Sequence, residues 1–302
     1  MALNQFFRLI ALILLSSCSN ETNKSDIDYQ EEFDSITFAF ENSSILDFNA
    51  QEDIDGEFLY DFINKLDPQK SIFLESDISK FQSEELTNTY DVLNNVVEVF
   101  YDRYSLSLEL RKDLLMKYKF NFDLDESISF NKDKGFMKNK DEIEDYERKI
   151  IKNELIVKML DGDNFEEARK ELLNNYKDRI SSLKKIRASD KFGVLANNFL
   201  SLLDPHSSYF SQRDIENWNL RMNLSFEGIG AILGYENEKA KIDELMPGGP
   251  AINSKKINVG DRIISVGQGS DGVMENVIGW RLDDIVDSIP VSYTHLTLPT
   301  KA

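Results

Sequence analysis

Apolar residues recur at helical spacing through the first two thirds of the chain, from about residue 28 to residue 220. The longest amphipathic stretch, 83–120, places its apolar side chains mostly three or four residues apart: Leu86, Tyr90, Leu93, Val97, Phe100, Tyr104 and Leu108. Such spacing gives a helix one apolar stripe, so it predicts helices over 83–120, 141–160 and 165–187. Residues 121–140 are polar and weakly periodic, which predicts a loop with a short strand. We therefore expect a helical domain over 28–220.

The pattern changes near residue 220, where glycine becomes frequent and short β-branched runs replace the long periodic stretches. Short apolar runs bounded by turn residues are typical of strands. The expected strands are Leu224–Tyr235, Ala240–Leu245 and Arg262–Val266, and the expected helices are Ala251–Lys255 and Arg281–Ile289. The sequence thus predicts an α+β multidomain chain, in which a small β-barrel or sandwich with two helices follows over 221–290.

Two glycines precede the first of these strands. Gly228 and Gly230 flank Ile229, and the apolar run that starts at Ala231 follows at once. Glycine adopts positive φ without steric cost, so this loop can turn sharply and aim successive backbone N–H groups into one concavity. Such a concavity suits a terminal carboxylate, and the strand that follows can pair with an extended peptide. We expect a bulky side chain at Gly230 to block the carboxylate.

The helix expected over 281–289 supplies the second wall of this groove. Its apolar residues recur at helical spacing, and we expect Ile285 and Ile289 to face the core while Leu282 and Val286 line the groove. The alternative is that all four belong to the core. The layout resembles a PDZ module, which holds the free carboxyl end of another protein. The candidate peptide-binding residues are Gly228, Ile229, Gly230, Ala231, Leu282 and Val286.

The first residues have the features of a bacterial lipoprotein signal peptide. An apolar run, Leu9–Leu15, is too short to span a bilayer as a stable helix, and it leads into Leu15-Ser16-Ser17-Cys18. That ending matches a lipobox, in which residues 1–17 are removed and Cys18 becomes the lipidated N-terminus. Residues 18–27 then form a flexible tether. We expect a protein anchored to the outer membrane and facing the periplasm; the alternative for Cys18 is an idle thiol.

The composition argues against several other functions. The chain has 35 Lys+Arg against 54 Asp+Glu, a formal net charge of −19, whereas a nucleic-acid surface needs a basic patch. Cys18 is the only cysteine in the sequence, so no intrachain disulfide can form. With two histidines and one cysteine, the sequence shows no metal-ligand cluster, and it has no Gly-Lys-Ser/Thr phosphate loop. We expect neither a metal nor a cofactor.

The tripeptide Leu-Asp-Pro occurs at 66–68 and again at 203–205, and Ser, Phe and Asp-Ile follow each copy at the same offsets. Proline ends a helix and the aspartate can accept hydrogen bonds from nearby backbone, so these copies predict two similar corners of a helical bundle. The alternative is a catalytic motif in which His206, Asp204 and a neighbouring serine form a triad. Triad members usually converge from distant positions, so adjacency in sequence gives that alternative little support.

Three runs, Phe199–Ser211, Leu224–Ala231 and Ile278–Val286, together resemble the tail-specific proteases, which are C-terminal-processing serine peptidases of the bacterial periplasm. The similarity extends over about residues 28–290. It implies a helical N-terminal domain and a PDZ domain that recognises apolar C-terminal tails of protein substrates. It further implies a protease core in which a serine nucleophile and a lysine base work without metal or cofactor. An adaptor protein is compatible with this resemblance.

The chain departs from that family towards its end. No position matches the family's Gly-Ser-Ala-Ser-type motif or its lysine, so no catalytic residue is assigned and the protease core is expected to be absent. Residues 291–302 are Thr-rich and aperiodic, and they resemble a translated adapter sequence. We expect a non-native tail there and an incomplete PDZ domain over 221–290. The alternative function is a non-catalytic periplasmic PDZ scaffold that binds peptides.

Overall fold

The computed structural model describes residues 27–43, 48–49, 53–83, 88–128, 134–222, 228–236, 238–267 and 272–289. The chain divides into two units, Met1–Asp47 and Phe48–Ala302. The first contains helix α1 (Tyr29–Ser43), and all other described elements belong to the second. In the described part of the chain, no helix has both the length and the hydropathy to cross a bilayer. The predicted signal peptide, Cys18 and residues 291–302 lie outside the described residues, and the domain boundaries stay predictions.

The helices of the second unit's first part are α2 (Gly56–Leu66), α3 (Glu75–Ser83), α4 (Thr89–Lys117), α5 (Lys140–Leu160), α6 (Phe165–Leu183), α7 (Ala188–Leu203) and α8 (Gln212–Met222). Several begin at side-chain caps, which satisfy backbone N–H groups that have no partner in the first turn. Asp55 accepts from the N–H groups of Glu57 and Phe58 at the start of α2. Asn164 and Glu167 form a capping box at the start of α6.

Three sequence predictions differ from these bounds. The stretch 83–120 was expected as one helix, whereas α3 ends at Ser83 and α4 begins at Thr89. The helix expected over 165–187 ends at Leu183, because Arg187 adopts extended backbone (φ −95°, ψ 162°) and becomes the N-terminal cap residue of α7. In the described residues of 121–140, which exclude 129–133, the expected short strand is replaced by an isolated parallel bridge between Met137 and Leu74.

Helices α4, α5 and α6 pack against one another around a buried core made of Leu108, Leu114, Leu115, Ile151, Leu155, Ala168, Leu172, Tyr176 and Ile180. A polar cluster lies within this bundle. The carboxylate of Glu147 is fully buried and accepts hydrogen bonds from Ser107 and Arg111. A buried carboxylate loses its hydration, so the guanidinium partner is what makes its burial tolerable.

In both Leu-Asp-Pro corners the aspartate side chain accepts hydrogen bonds from the segment that follows the helix. Asp67 follows α2, and its side chain accepts from the N–H of Ser71 at 2.9 Å; Asp204 follows α7 and accepts from the N–H of His206 at 3.1 Å. The aspartate thus holds the turn after the helix in each copy, although the groups that it binds lie at different offsets.

The helix that follows each corner also starts in the same way. The N–H of Leu74 donates to Asp77 at 2.9 Å, and the N–H of Ser211 donates to Asp214 at 3.0 Å. These pairs occupy matching positions after the two Leu-Asp-Pro tripeptides. The interpretation as similar helical corners is therefore confirmed.

The remainder of the second unit contains short strands and two helices. Strands β1 (Ala231–Glu236), β2 (Lys239–Leu245) and β3 (Arg262–Ile263) form an antiparallel sheet in that order, and β4 (Ser265–Val266) pairs with β5 (Glu275–Asn276). The helices are α9 (Pro250–Ser254) and α10 (Leu282–Ser288). The predicted α+β class is confirmed.

The first and third expected strands differ from the prediction, whereas β2 matches the second to within one residue. The described part of the first strand begins at Ala231, and residues 223–227 lie outside the described residues. The strand expected over 262–266 divides at Ile264 into β3 and β4, which belong to different sheets. An apolar run cannot show such a division, because both halves bury side chains in the same core.

Two buried clusters hold this small domain together. One contains Ala240, Ile263, Val266, Val277 and Ile285, and the other contains Ile229, Ile242, Ala251 and Ile257. Leu233 of β1 and Ile289 after α10 pack against both clusters. The sheet, α9 and α10 are therefore joined through one apolar interior, which fixes the position of α10 relative to β1.

Candidate functional site

The loop Gly228-Ile229-Gly230 immediately precedes β1 and is held from behind through its carbonyl groups. The carbonyl of Gly230 accepts from the N–H of Met246 at 2.9 Å, and that of Ile229 accepts from the N–H of Ala251 at 2.8 Å. The amides of the three loop residues donate to no group within the described residues. Amides without protein acceptors beside a glycine turn are suited to an anion.

Gly230 is required for a reason that the sequence did not indicate. Its φ is +71°, and a Cβ built there would lie 2.8 Å from the Cα of Gly249. We expected a side chain at Gly230 to obstruct a bound carboxylate, but it would first collide with the backbone of the turn after β2. The loop and that turn therefore depend on each other for their shape.

Helix α10 presents different residues to the core and to the surface. Ile285 is fully buried, whereas Val286 is 49% exposed. Leu282 is partly buried and packs against the core cluster that contains Ile285. Ile289 also packs against the core. Ile285, Ile289 and Val286 therefore lie as the helical spacing predicted, whereas Leu282, expected at the groove, also contacts the core.

A cavity of about 830 Å³ lies beside the exposed face of α10. Leu282 and Val286 line it together with Tyr235, near the far end of β1 from the glycine loop. The opposite side is lined by residues of the helical region, among them Ile186 and Arg213. The structure thus brings the predicted second wall into one cavity with residues that lie outside the small domain.

Pairs of arginine and aspartate connect α10 with the helical region. Arg213 of α8 donates to Asp283 at 2.7 Å and also pairs with Asp287. Arg187, which precedes α7, pairs with Asp284. In these pairs the carboxylates lie on α10 and the guanidinium groups on the helical region.

In a third arginine the arrangement is reversed, with the guanidinium group beside α10 and a carboxylate on the helical region. Arg281, the residue before α10, pairs with Asp190 of α7, donates to the carbonyl of Lys185 at 3.0 Å, and donates to Asp283 at 3.0 Å. Its hydrogen bonds with Asp190 and Asp283 raise the pKa of Arg281 above its usual range. Burial opposes ionisation of Asp283, but the hydrogen bond from Arg281 and the charges of Arg281 and Arg213 outweigh it and lower its pKa.

Two further contacts hold the end of α6 and the turn after it against the β region. The Nζ of Lys185 donates to the hydroxyl of Tyr235 at 2.8 Å and lies 5.1 Å from the centroid of its ring. The hydroxyl of Ser181 donates to Glu238 at 2.8 Å. The C-terminal end of β1 therefore contacts the helical region, while the glycine loop lies at the N-terminal end of the strand.

The residues of the alternative triad do not form a catalytic relay in this structure. The hydroxyl of Ser207 donates to Asp204 at 2.8 Å, and the N–H of His206 donates to the same carboxylate. Asp204 acts as a helix cap, and these hydrogen bonds lower its pKa. Over the residues that the structure describes, no three His, Cys, Asp or Glu side chains are arranged to hold a metal ion.

Two family models match the chain. The model of the tail-specific protease N-terminal domain matches residues 36–213, which is more than half of the 302 residues. The chain belongs to the tail-specific protease family. The PDZ domain model matches residues 217–300 and so includes both the glycine loop and α10. The resemblance inferred from the sequence is confirmed.

A curated relative of this family member is much longer than the chain itself. The tail-specific protease of Haemophilus influenzae is 31% identical over 250 residues, which are 78% of this chain and 35% of the relative. The chain thus spans about a third of that relative's length. The PDZ domain of a carboxy-terminal protease from Vibrio cholerae, solved in complex with a peptide, is 48% identical, covering 21% of this chain and 63% of that one with a TM-score of 0.20.

The sequence of this family member did not predict the contribution of the helical region to the site. Lys185 and Tyr235 are 50 residues apart, and Arg213 and Asp283 are 70 residues apart. No local pattern connects positions so distant. The signal available in the sequence was the number of aspartates in α10. Asp283, Asp284 and Asp287 lie within a helix of seven residues, so basic partners for them could be expected.

Proposed function

We propose that this chain binds the C-terminal tails of proteins in the groove between β1 and α10. The observation that carries the proposal is the loop Gly228-Ile229-Gly230, whose amides have no acceptor within the described residues while its carbonyls are used to hold it in place. These amides can donate to the terminal carboxylate of a peptide. A carboxylate in such a position is what distinguishes a protein's end from an internal segment.

The strand beside the loop supports the rest of the peptide. In the described sheet β1 is an edge strand, since its sheet partner is β2 alone, and an edge can pair with an added strand through backbone hydrogen bonds. Ala231 opens this strand, and Leu282 and Val286 lie across the groove in α10. Their apolar side chains favour a tail with apolar residues near its end.

The binding of tails is tested with two ten-residue peptides that end in the same apolar residues and differ only in a free carboxyl or an amidated end. Fluorescence anisotropy with the purified chain should show measurable binding of the free-acid peptide. The amidated peptide should bind at least tenfold more weakly, because its end lacks the negative charge and one hydrogen-bond acceptor. Equal affinities would contradict a carboxylate site at the glycine loop. Replacing the last apolar residue of the free-acid peptide with alanine should also weaken its binding.

We further propose that the whole protein is a serine endopeptidase that cleaves the bound tail, with a serine nucleophile and a lysine base outside these 302 residues. Membership in the tail-specific protease family supports this proposal. The chain alone should leave a tagged, tail-bearing substrate intact over a day, and cleavage sensitive to a serine-directed reagent would contradict the placement of the nucleophile. A gene product that binds tails but includes no serine and lysine pair would instead favour the PDZ scaffold.

We also propose a periplasmic location with a lipid anchor at Cys18, on the strength of the lipobox in the sequence. Cells that express the protein should incorporate radiolabelled palmitate into it, and Cys18→Ser should abolish the label and release the protein from the membrane fraction. Label that persists in the serine variant would place the modification elsewhere. An adaptor protein stays a prediction from the family resemblance.

A further inference from the structure

The groove does not end at the limits of the small domain. Tyr235 lies four residues after Ala231 on β1 and lines the cavity that also contains Leu282 and Val286. Across that cavity Lys185, which follows α6, donates to the hydroxyl of Tyr235 at 2.8 Å. A side chain from the helical region is therefore placed beside the strand on which a tail would pair.

The position of a bound tail along β1 follows from strand geometry. A tail whose last residue lies beside Ala231 and which runs antiparallel to β1 advances about 3.3 Å per residue. It reaches Tyr235, about 13 Å along the strand, with the residue four positions before its last one. Directly opposed residues of an antiparallel pair project to the same face of a sheet, so this side chain points into the cavity with Tyr235.

The charges around the cavity select the type of side chain that fits there. Each aspartate that lines it is paired with an arginine: Asp190 with Arg281, Asp283 with Arg213 and Arg281, and Asp287 with Arg213. Lys185 has no carboxylate partner within the described residues; the acceptor of its Nζ there is the neutral hydroxyl of Tyr235. Of the charged side chains that line the cavity, the ammonium group of Lys185 is thus the one without an opposite charge among the described residues.

We propose that Lys185 is a specificity-determining residue that favours tails with Glu or Asp four positions before the last residue. The inference rests on the proposed binding of tails at the glycine loop. The carboxylate of such a tail would reach the Nζ of Lys185 beside the hydroxyl of Tyr235. Because the site is partly open to solvent, the expected preference is about two- to fivefold in affinity, and salt should reduce it.

The test uses three ten-residue peptides with a free carboxyl end and the same apolar terminal residues, which differ only in Glu, Gln or Lys at that position. The purified chain should bind them in the order Glu, Gln, Lys at low salt, and the three affinities should converge at about 0.5 M NaCl. Lys185→Glu should reverse the order, and Lys185→Met should remove the discrimination while tails still bind.

Lys184→Glu is the matched control, because Lys184 is an exposed neighbour that does not line the cavity and its replacement changes the net charge equally. The Lys184→Glu variant should bind the three peptides in the same order of affinity as the wild type. If the three peptides bind with equal affinity, or if Lys185→Glu leaves the order of their affinities unchanged, the proposed role of Lys185 is overturned. The proposed tail site would not be affected by that result. If no free-acid peptide binds more tightly than its amide, the proposed tail site itself fails. Melting curves of the variants separate loss of folding from loss of preference.

Discussion

Gly230 and Gly249 lie so close that a Cβ on Gly230 would come within 2.8 Å of the Cα of Gly249. The loop before β1 and the turn after β2 therefore pack backbone against backbone. The N–H of Met246, in the same turn, donates to the carbonyl of Gly230 at 2.9 Å. The position of the three loop amides is consequently set by the turn that supports them from behind.

Gly230→Ala should destabilise the small domain and abolish tail binding, because it adds this collision to the cost of a positive φ. Gly248→Ala is a matched control: Gly248 has φ +81° and nothing within 4 Å of the added Cβ, so it incurs the backbone strain alone. That strain is about 1–2 kcal/mol. Urea unfolding should show a larger loss for Gly230→Ala, and equal losses would mean that the close packing has no energetic role.

Arg213→Ala should weaken the attachment of α10 to the helical region, because it leaves Asp283 with Arg281 and deprives Asp287 of its partner. These groups are partly exposed, so the expected loss of stability is about 0.5–1 kcal/mol. The control is Lys177→Ala, which removes a cation from the exposed side of α6 and should lower the stability by less.

A double-mutant cycle of Arg213→Ala with Asp287→Asn measures this pair directly. A coupling energy above about 0.3 kcal/mol at low salt, falling as salt is raised, is expected for a real contact. Additive effects at both salt concentrations would show that the pair contributes nothing measurable.

The stability of the helical bundle should depend on pH through Glu126. Hydrogen bonds from Arg148 and Lys152, the latter at 2.8 Å, lower the pKa of this carboxyl from 4.5 to about 2. A folded-state pKa below the unfolded value means that the stabilising contribution is complete above about pH 4.5 and is lost as the pH falls towards 2.

Thermal unfolding of the wild type and Glu126→Gln at several pH values tests this dependence. The wild type should melt at a higher temperature at pH 7, and the difference should shrink as the pH approaches 2. Glu144→Gln, on the exposed side of α5, serves as the control for a lost surface charge. A difference between wild type and Glu126→Gln that is constant with pH would exclude the ion pair as its source.

Removing one partner of the buried pair between Arg111 and Glu147 should be among the most damaging changes in the helical bundle. Arg111→Met leaves the fully buried carboxylate of Glu147 without its cation, which costs about 3–5 kcal/mol in comparable cases. Adding Glu147→Gln should recover part of that loss, since the remaining amide no longer needs a countercharge. Chemical denaturation of the wild type and the two variants measures both effects, and a double variant no more stable than Arg111→Met would contradict this account.

Helical periodicity allowed most of the helical region to be predicted, because each helix buries one stripe and the stripe is visible in a single sequence. The break after Leu183 was missed, since the apolar spacing continues to Ile186 while the backbone of Arg187 is already extended. The glycine loop and α10 could be predicted for a similar reason, because their residue types favour a turn and a helix that depend on neighbouring residues only. The roles of Lys185 and Arg213 could not be predicted, because their partners Tyr235 and Asp283 come near them only in the folded chain.

The arginines of the helical region neutralise aspartates of α10 that border the groove. The small domain, if excised, would present Asp284 and Asp287 without Arg187 and Arg213. Its groove would then be bordered by uncompensated negative charge, and it would lack Lys185 altogether. A peptide library screened on the excised domain would for that reason be biased towards basic tails, and its consensus would misidentify the natural targets.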